Sequence, residues 1–204
     1  MLIPKPEGDF TPPPPGNHPA RCYRVIDLGT QQGSYMGKPK IQHKIMIGWE
    51  LFCDEKLPDG RNFSINNRYT LSGSERAALR QHLEAWRGRA FSEGDWNSFH
   101  IESIIGVPCL LQVKHDPKDG GGVYANIASV AGVPKGFQVP ELTQEKLFFS
   151  LDPKEYKKDA YDKLSDNLKL TIHKSPEWSV LNGNGSYDQH DAPPRDSMDD
   201  DIPF

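Results

Sequence analysis

Long apolar runs, paired cysteines and catalytic signatures are all missing or scarce in this 204-residue chain. No stretch approaches the ~18 consecutive apolar residues of a membrane span, and the first residues lack a signal-peptide pattern. A soluble cytoplasmic protein without membrane partners is expected. Cys22, Cys53 and Cys109 are odd in number and widely spaced, with no C-x-x-C and no histidine at ligand spacing. This argues against a disulfide framework and against zinc. There is no G-x-x-x-x-G-K-[ST] phosphate loop, no H-E-x-x-H and no convincing G-x-S-x-G. Asp54, Glu55 and Asp59 cluster on a turn, where polar residues are expected anyway. The expectation is a protein that is not an enzyme and needs neither metal nor cofactor.

Apolar residues make up only 36% of the chain, while glycine and proline contribute 18 each. That balance suggests a compact core with poorly ordered ends. Charge is unevenly divided. Residues 20–136 hold fifteen Lys/Arg against twelve Asp/Glu, whereas residues 183–204 hold six Asp and one Arg. A mildly basic body with an acidic tail points toward nucleic acid and an interaction segment.

The body is organised around Ile41 to Leu71. Ile41, Ile45, Ile47, Trp49 and Leu51 share one parity, with His43 the exception, and Gln42, Lys44 and Glu50 share the other. After a loop closing on Pro58-Asp59-Gly60, Phe63, Ile65, Tyr69 and Leu71 alternate with Ser64, Asn66, Arg68 and Thr70. Two half-buried strands joined by such a loop form a hairpin. Ala20 to Leu28 reads as an earlier strand, followed by a flexible loop from Gly29 to Lys40. Ser72 and Glu75 match a capping box opening a helix that Gly88 stops. A second short helix falls within Trp96–Ile105. Val107–His115 and Val123–Ala131 read as two further strands. Gly48, inside a strand, marks a bulge or bend.

The order strand, strand, strand, helix, strand, strand is that of an OB-fold, a five-stranded partly open barrel, with another α+β arrangement as the rival. The predicted division is a Pro-rich arm over 1–19, a barrel domain over 20–136, a helical extension over 137–182 and a disordered acidic tail over 183–204. One or two amphipathic helices are expected between Glu141 and His173, stopped by Ser175-Pro176, packing on the barrel or on a second subunit.

The chain given ends M-D-D-D-I-P-F. This closely resembles the C-terminal tip of bacterial single-stranded-DNA-binding proteins, which docks onto replication and repair enzymes. The resemblance implies a docking role for Asp199, Asp200, Asp201, Ile202, Pro203 and Phe204. The stretches Y-R-V-I-D-L-G-T-Q at 23–31, G-W-E-L at 48–51, R-Y-T-L-S at 68–72, W-R-G-R-A-F at 86–91, Y-A-N-I-A-S at 124–129 and S-P-E-W at 175–178 resemble a bacteriophage family described as single-stranded-DNA-binding or replication-initiation proteins. That resemblance implies an OB-fold, single-stranded DNA as partner in replication, repair or recombination, and the host cytoplasm as location. A replication-initiation or loader adaptor acting through protein contacts is the alternative, and a barrel used only as an interaction module is a third.

Single strands are held by cations that track phosphates and by rings on which bases stack. OB-folds use strands 2 and 3 and the loops joining strands 1–2 and 4–5. On that basis the candidate DNA-binding residues are Tyr35, Lys38, Lys40, Lys44, Trp49, Arg68, Tyr69, Lys114, Lys118 and Tyr124. Lys44 and Arg68 sit on the polar parity. Trp49 and Tyr69 sit on the apolar parity, so core packing competes with stacking unless a bulge at Gly48 turns Trp49 outward. Arg76, Arg80, Arg87 and Arg89 read as a solvated helix face.

Overall fold

The computed structural model describes residues 11–35 and 37–183. It is mainly β. Strands β1 (Gly16–Tyr35), β2 (Lys38–Leu51), β3 (Phe63–Thr70), β4 (Pro108–Pro117) and β5 (Val123–Ala131) form an antiparallel sheet in the order β3-β2-β1-β4-β5. A short β6 (Leu147–Phe149) joins β1 in parallel. Helix α1 (Ala78–Arg87) lies between β3 and β4, followed by α2 (Glu93–Asn97) and a 3-10 turn at Ile101–Ile104. Three short helices, α3 (Lys158–Asp162), α4 (Asp166–Ile172) and α5 (Pro176–Leu181), complete the described chain. None of these helices is long and apolar enough to cross a membrane.

The sheet is open. Its outer strands β3 and β5 approach each other, yet among the described residues no ladder joins them. The order of strands and helix along the chain is the predicted one, and β6 is an addition. The ladders also show why β1 is so long. Its Gly16–Arg21 segment pairs with β4, and Arg24–Ile26 pairs with β6 on the same edge. The other edge pairs with β2 from Ala20 to Tyr35. From Thr30 to Tyr35 that partner, Lys38–His43, is the only one among the described residues, so the two strands continue as a two-stranded ribbon. The expected flexible loop over 29–40 is therefore mostly ladder, with Gly37 at φ 76° in its turn.

Two bulges in β1 decide which side chains face where. Tyr23 and Leu28 are the extra residues, at register shifts opposite Gly48–Trp49 and Lys44–Ile45. The irregularity that Gly48 suggested thus lies across the ladder, in β1. One face of the sheet carries Ala20, Cys22, Val25, Ile45, Ile47, Trp49, Leu51, Phe63, Ile65 and Tyr69, covered by Leu79, Leu83 and Trp86 of α1. The other face carries Ile26, Leu28 and Met46, which pack with Phe149, Leu151, Leu164, Leu168 and Ile172 from the C-terminal segment. Alternation in β1 and β2 therefore serves two cores, because both faces of these strands are partly covered.

Glu50 joins the segments at one end. It is fully buried on β2, and its carboxylate accepts from Asn62 Nδ2 (2.7 Å), Thr143 N (2.9 Å), Gln144 N (3.3 Å) and the Thr143 hydroxyl. Burial opposes ionisation, but these donors hold the carboxyl below its usual range.

Local signals differ from expectation in three places. Helix α1 starts at Ala78, with Ala77 as a cap lacking a side-chain bond. Among the described residues Ser72 Oγ accepts only from Ser74 N (3.3 Å), so the expected capping box at Ser72 and Glu75 does not form. Arg80 takes the Gly73 carbonyl (2.9 Å) and the Trp96 ring lies against Gly73, which holds this segment in turns. The capping box forms instead at Ser92 and Asp95, opening α2. Helix α4 ends at Ile172 ahead of Ser175-Pro176, as expected, but the pair also begins a further helix: Ser175 Oγ caps Trp178 N and Pro176 takes the first-turn position, where its missing N–H costs nothing.

Candidate nucleic-acid interface

The uncovered part of the second face runs across β1, β2 and β3. Gly48 sits between Arg24 and Asn66 in the ladders. The Arg24 side chain crosses over Gly48, and its Nε (3.2 Å) and Nη2 (2.9 Å) both donate to Asn66 Oδ1. A Cβ at Gly48 would fall 2.5 Å from that oxygen and 2.8 Å from Arg24 Cγ. The glycine is needed for this crossing rather than for a turn. One rung further, Arg68 is exposed beside Met46, and on the next rung Lys44 Nζ donates to Thr70 Oγ1 (2.6 Å). Arg24, Lys44 and Arg68 thus lie on one face of three adjacent strands.

The ribbon extends this surface. From Leu28 to Trp49 the chain contains no Asp or Glu, while it holds Lys38, Lys40 and Lys44 and the amides Gln31, Gln32 and Gln42. Lys38 is exposed and Lys40 half-buried near the turn. Tyr35 pairs with Lys38 on the last rung, and its ring lies outside the described residues. This continuous absence of acid was readable in the sequence.

Other candidates separate from this surface. Trp49 is 1% exposed and Tyr69 3% exposed, so neither ring is available to a base. Trp49 packs at 6.0 Å against Trp86, and no bulge at Gly48 turns it outward. The Tyr69 hydroxyl hydrogen-bonds His82 Nδ1 (2.9 Å), and burial raises its pKa well above the ordinary value. The apolar parity of β2 and β3 prevails at both positions. Lys114, Lys118 and Tyr124 come together on the β4–β5 hairpin, where Lys118 Nζ lies 4.4 Å from the Tyr124 ring centroid and Tyr124 is 56% exposed. That hairpin extends past the N-terminal end of β1, whereas the ribbon continues its C-terminal end. It also carries acid, since Asp116 pairs with Lys114 (3.4 Å) and accepts from Asn126 (2.7 Å). The tip residues Asp199–Phe204 lie outside the described residues.

Of the helix arginines, Arg80 bonds Glu84 (3.0 Å) and Arg87 pairs with Asp95 (3.2 Å), so both are engaged inside the body.

At the ribbon's base lies a group that the sequence reading passed over. His43, the parity exception in β2, places Nε2 2.7 Å from Asp27 Oδ1 and Nδ1 3.5 Å from Glu177 Oε1. Glu177 also accepts from Thr30 N (2.9 Å) and Thr30 Oγ1 (2.5 Å), and Asp27 from Gly29 N (2.8 Å) and Leu151 N (3.2 Å). Burial alone would depress the imidazole, but the two carboxylates override it and raise its pKa to about 9. Burial works against Glu177 as well, yet His43 and Thr30 hold it at about 2. With both ring nitrogens facing carboxylates, His43 is placed as a cationic clamp between β1, β2 and α5 rather than as a general base. A cleft of about 600 Å3, lined mainly by apolar side chains including Val25, Ile45 and Phe148, adjoins it. Among the described residues no group of His, Cys, Asp and Glu is arranged to hold a metal ion.

No protein-family model matches this chain, and no curated protein matches it in sequence.

Proposed function

We propose that this protein binds and protects single-stranded DNA, largely without regard to sequence, and carries no catalytic activity. The observation behind this reading is the acid-free run from Leu28 to Trp49, whose lysines lead from the ribbon onto the face shared with Arg24 and Arg68. A strand laid along that path meets cations for its phosphates and the neutral amides of the cross-strand pair Gln31 and Gln42. Such groups favour backbone tracking over base readout. The strand order and the approach of β3 to β5 support a partly open barrel of OB type. By the resemblance of its D-D-D-I-P-F ending, the tail recruits replication or repair proteins, and the chain serves phage replication or recombination.

A fluorescence titration of labelled oligo-dT against matched duplex competitor, at two salt concentrations, tests the reading. Binding is expected to resist duplex and to weaken with salt. Three or four phosphate contacts imply a slope of roughly −2 to −3 in log–log form. Absence of binding at low salt would overturn it and leave an adaptor that acts through protein contacts.

A further inference from the structure

A cleft of about 540 Å3 opens where β6, α3 and the 3-10 turn meet. Because β6 pairs with the edge of β1 opposite β2, this cleft stands apart from the β2–β3 face. Lys146, Lys157, Lys158 and Lys163 line it against two carboxylates, Glu102 and Asp159, and Leu147 and Phe148 supply an apolar wall. Lys158 is paired with Asp162 (2.7 Å) and Lys163 with Glu145. Lys146 and Lys157 are exposed and make no ion pair among the described residues. The Lys146 ammonium lies over Gly106, where an added Cβ would come within 2.9 Å of it.

We propose that this lysine cleft is the docking site for the chain's own segment Asp196–Phe204. That segment holds Asp196, Asp199, Asp200 and Asp201 with no cation, followed by Ile202 and Phe204. Acids matched to Lys146 and Lys157, with an apolar residue against Leu147 and Phe148, reproduce the cleft's two chemistries in one short peptide. The thirteen residue steps from Gly183 to Asp196 span up to about 40 Å, more than the ~30 Å diameter of a small domain. The tether also explains why a net lining charge of only two suffices. A covalently attached segment is present at an effective concentration in the millimolar range, whereas DNA arriving from solution would meet two lining acids and a weak field.

The test is a map of zero-length carbodiimide cross-links on the full-length protein, prepared as an equal mixture of isotopically light and heavy chains. Amide links from Asp199–Asp201 to Lys146 or Lys157 are expected within chains of one isotope. They should exceed links to Lys38, Lys40 and Lys44 by roughly tenfold, and in Lys146→Glu/Lys157→Glu the tail's links to the neighbouring Lys158 and Lys163 of the cleft should fall by a similar factor, as for a few rim charge pairs. Links that join light to heavy chains would make a second copy's tail the occupant and overturn the intrachain site. Links mainly to the ribbon lysines would overturn it equally. Absence of tail links, with oligo-dT binding weakened in the double variant, would make the cleft a phosphate site instead. The wild-type map decides the matter even if the variant fails to fold, and the oligo-dT titration of wild-type protein judges the DNA-binding reading separately.

Discussion

Asp27 and His43 are sixteen residues apart in the chain and 2.7 Å apart in the fold, joined across β1 and β2 at the root of the ribbon. Glu177 closes the group from α5, so one imidazolium ties the C-terminal helices to the sheet. The sign of its pH dependence follows. The His43 pKa is raised to about 9, so its contribution is complete below the unfolded value of about 6.5 and is lost as pH rises through 9. Glu177 is lowered to about 2, so its share is complete above about 4.5 and lost as pH falls toward 2. Stability should be flat between about pH 4.5 and 6.5 and decline on both sides. In His43→Gln the alkaline decline, roughly 3 kcal/mol, should vanish from urea midpoints measured across pH.

Gly48→Ala should sever Arg24 from Asn66. The new methyl meets Asn66 Oδ1 at 2.5 Å, and both side chains can swing aside. The cost to stability should be modest, about 1 kcal/mol. Thermal melting together with the oligo-dT titration reads both consequences, and a variant with unchanged melting and unchanged affinity would contradict the crossing.

Trp49→Phe should leave DNA affinity at the wild-type value, because the ring is buried. Its Nε1 is a buried donor with no hydrogen-bond partner in the described structure. Removing it offsets part of the packing lost, and the net change should stay within about 1 kcal/mol. Trp49→Ala, which leaves a cavity beside Trp86, should cost roughly 3–5 kcal/mol. Denaturant unfolding separates the two.

Glu50→Ala should cost roughly 2–4 kcal/mol, since it orphans donors from Asn62, Thr143 and Gln144 at once. Amide hydrogen exchange should show loss of protection at Thr143 and Gln144 before the β1–β2 ladder is affected.

Lys38→Glu/Lys40→Glu should weaken oligo-dT binding by about tenfold or more and flatten its salt dependence, at little cost to stability. Lys114→Glu, beside Asp116, should matter less. Equal effects at the two hairpins would shift the interface toward the β4–β5 side.

Much of the sheet was legible because alternation is a direct record of burial on one face. Val123–Ala131 is a strand as read, and Gly88 ends α1 in the left-handed conformation at φ 74°. The ribbon was hidden because Thr30–Tyr35 is rich in Gln, Gly and Ser, and a ladder with no buried face leaves no apolar period. Strand β6 is three residues long and depends on a partner more than a hundred positions away. His43 showed half of its role as the odd residue in an apolar series. The other half, Glu177, lies 147 residues along the chain from its partner Thr30 at the ribbon root, and no local pattern encodes that.

Strand β1 is a member of both cores and of the ribbon. A pull on the ribbon tip is therefore conducted along one continuous backbone into the β4 and β6 ladders. Those ladders run alongside the strand and are loaded in shear, so their hydrogen bonds must yield together rather than one at a time. The tip can work as a lever arm while its mounting behaves as a rigid anchor.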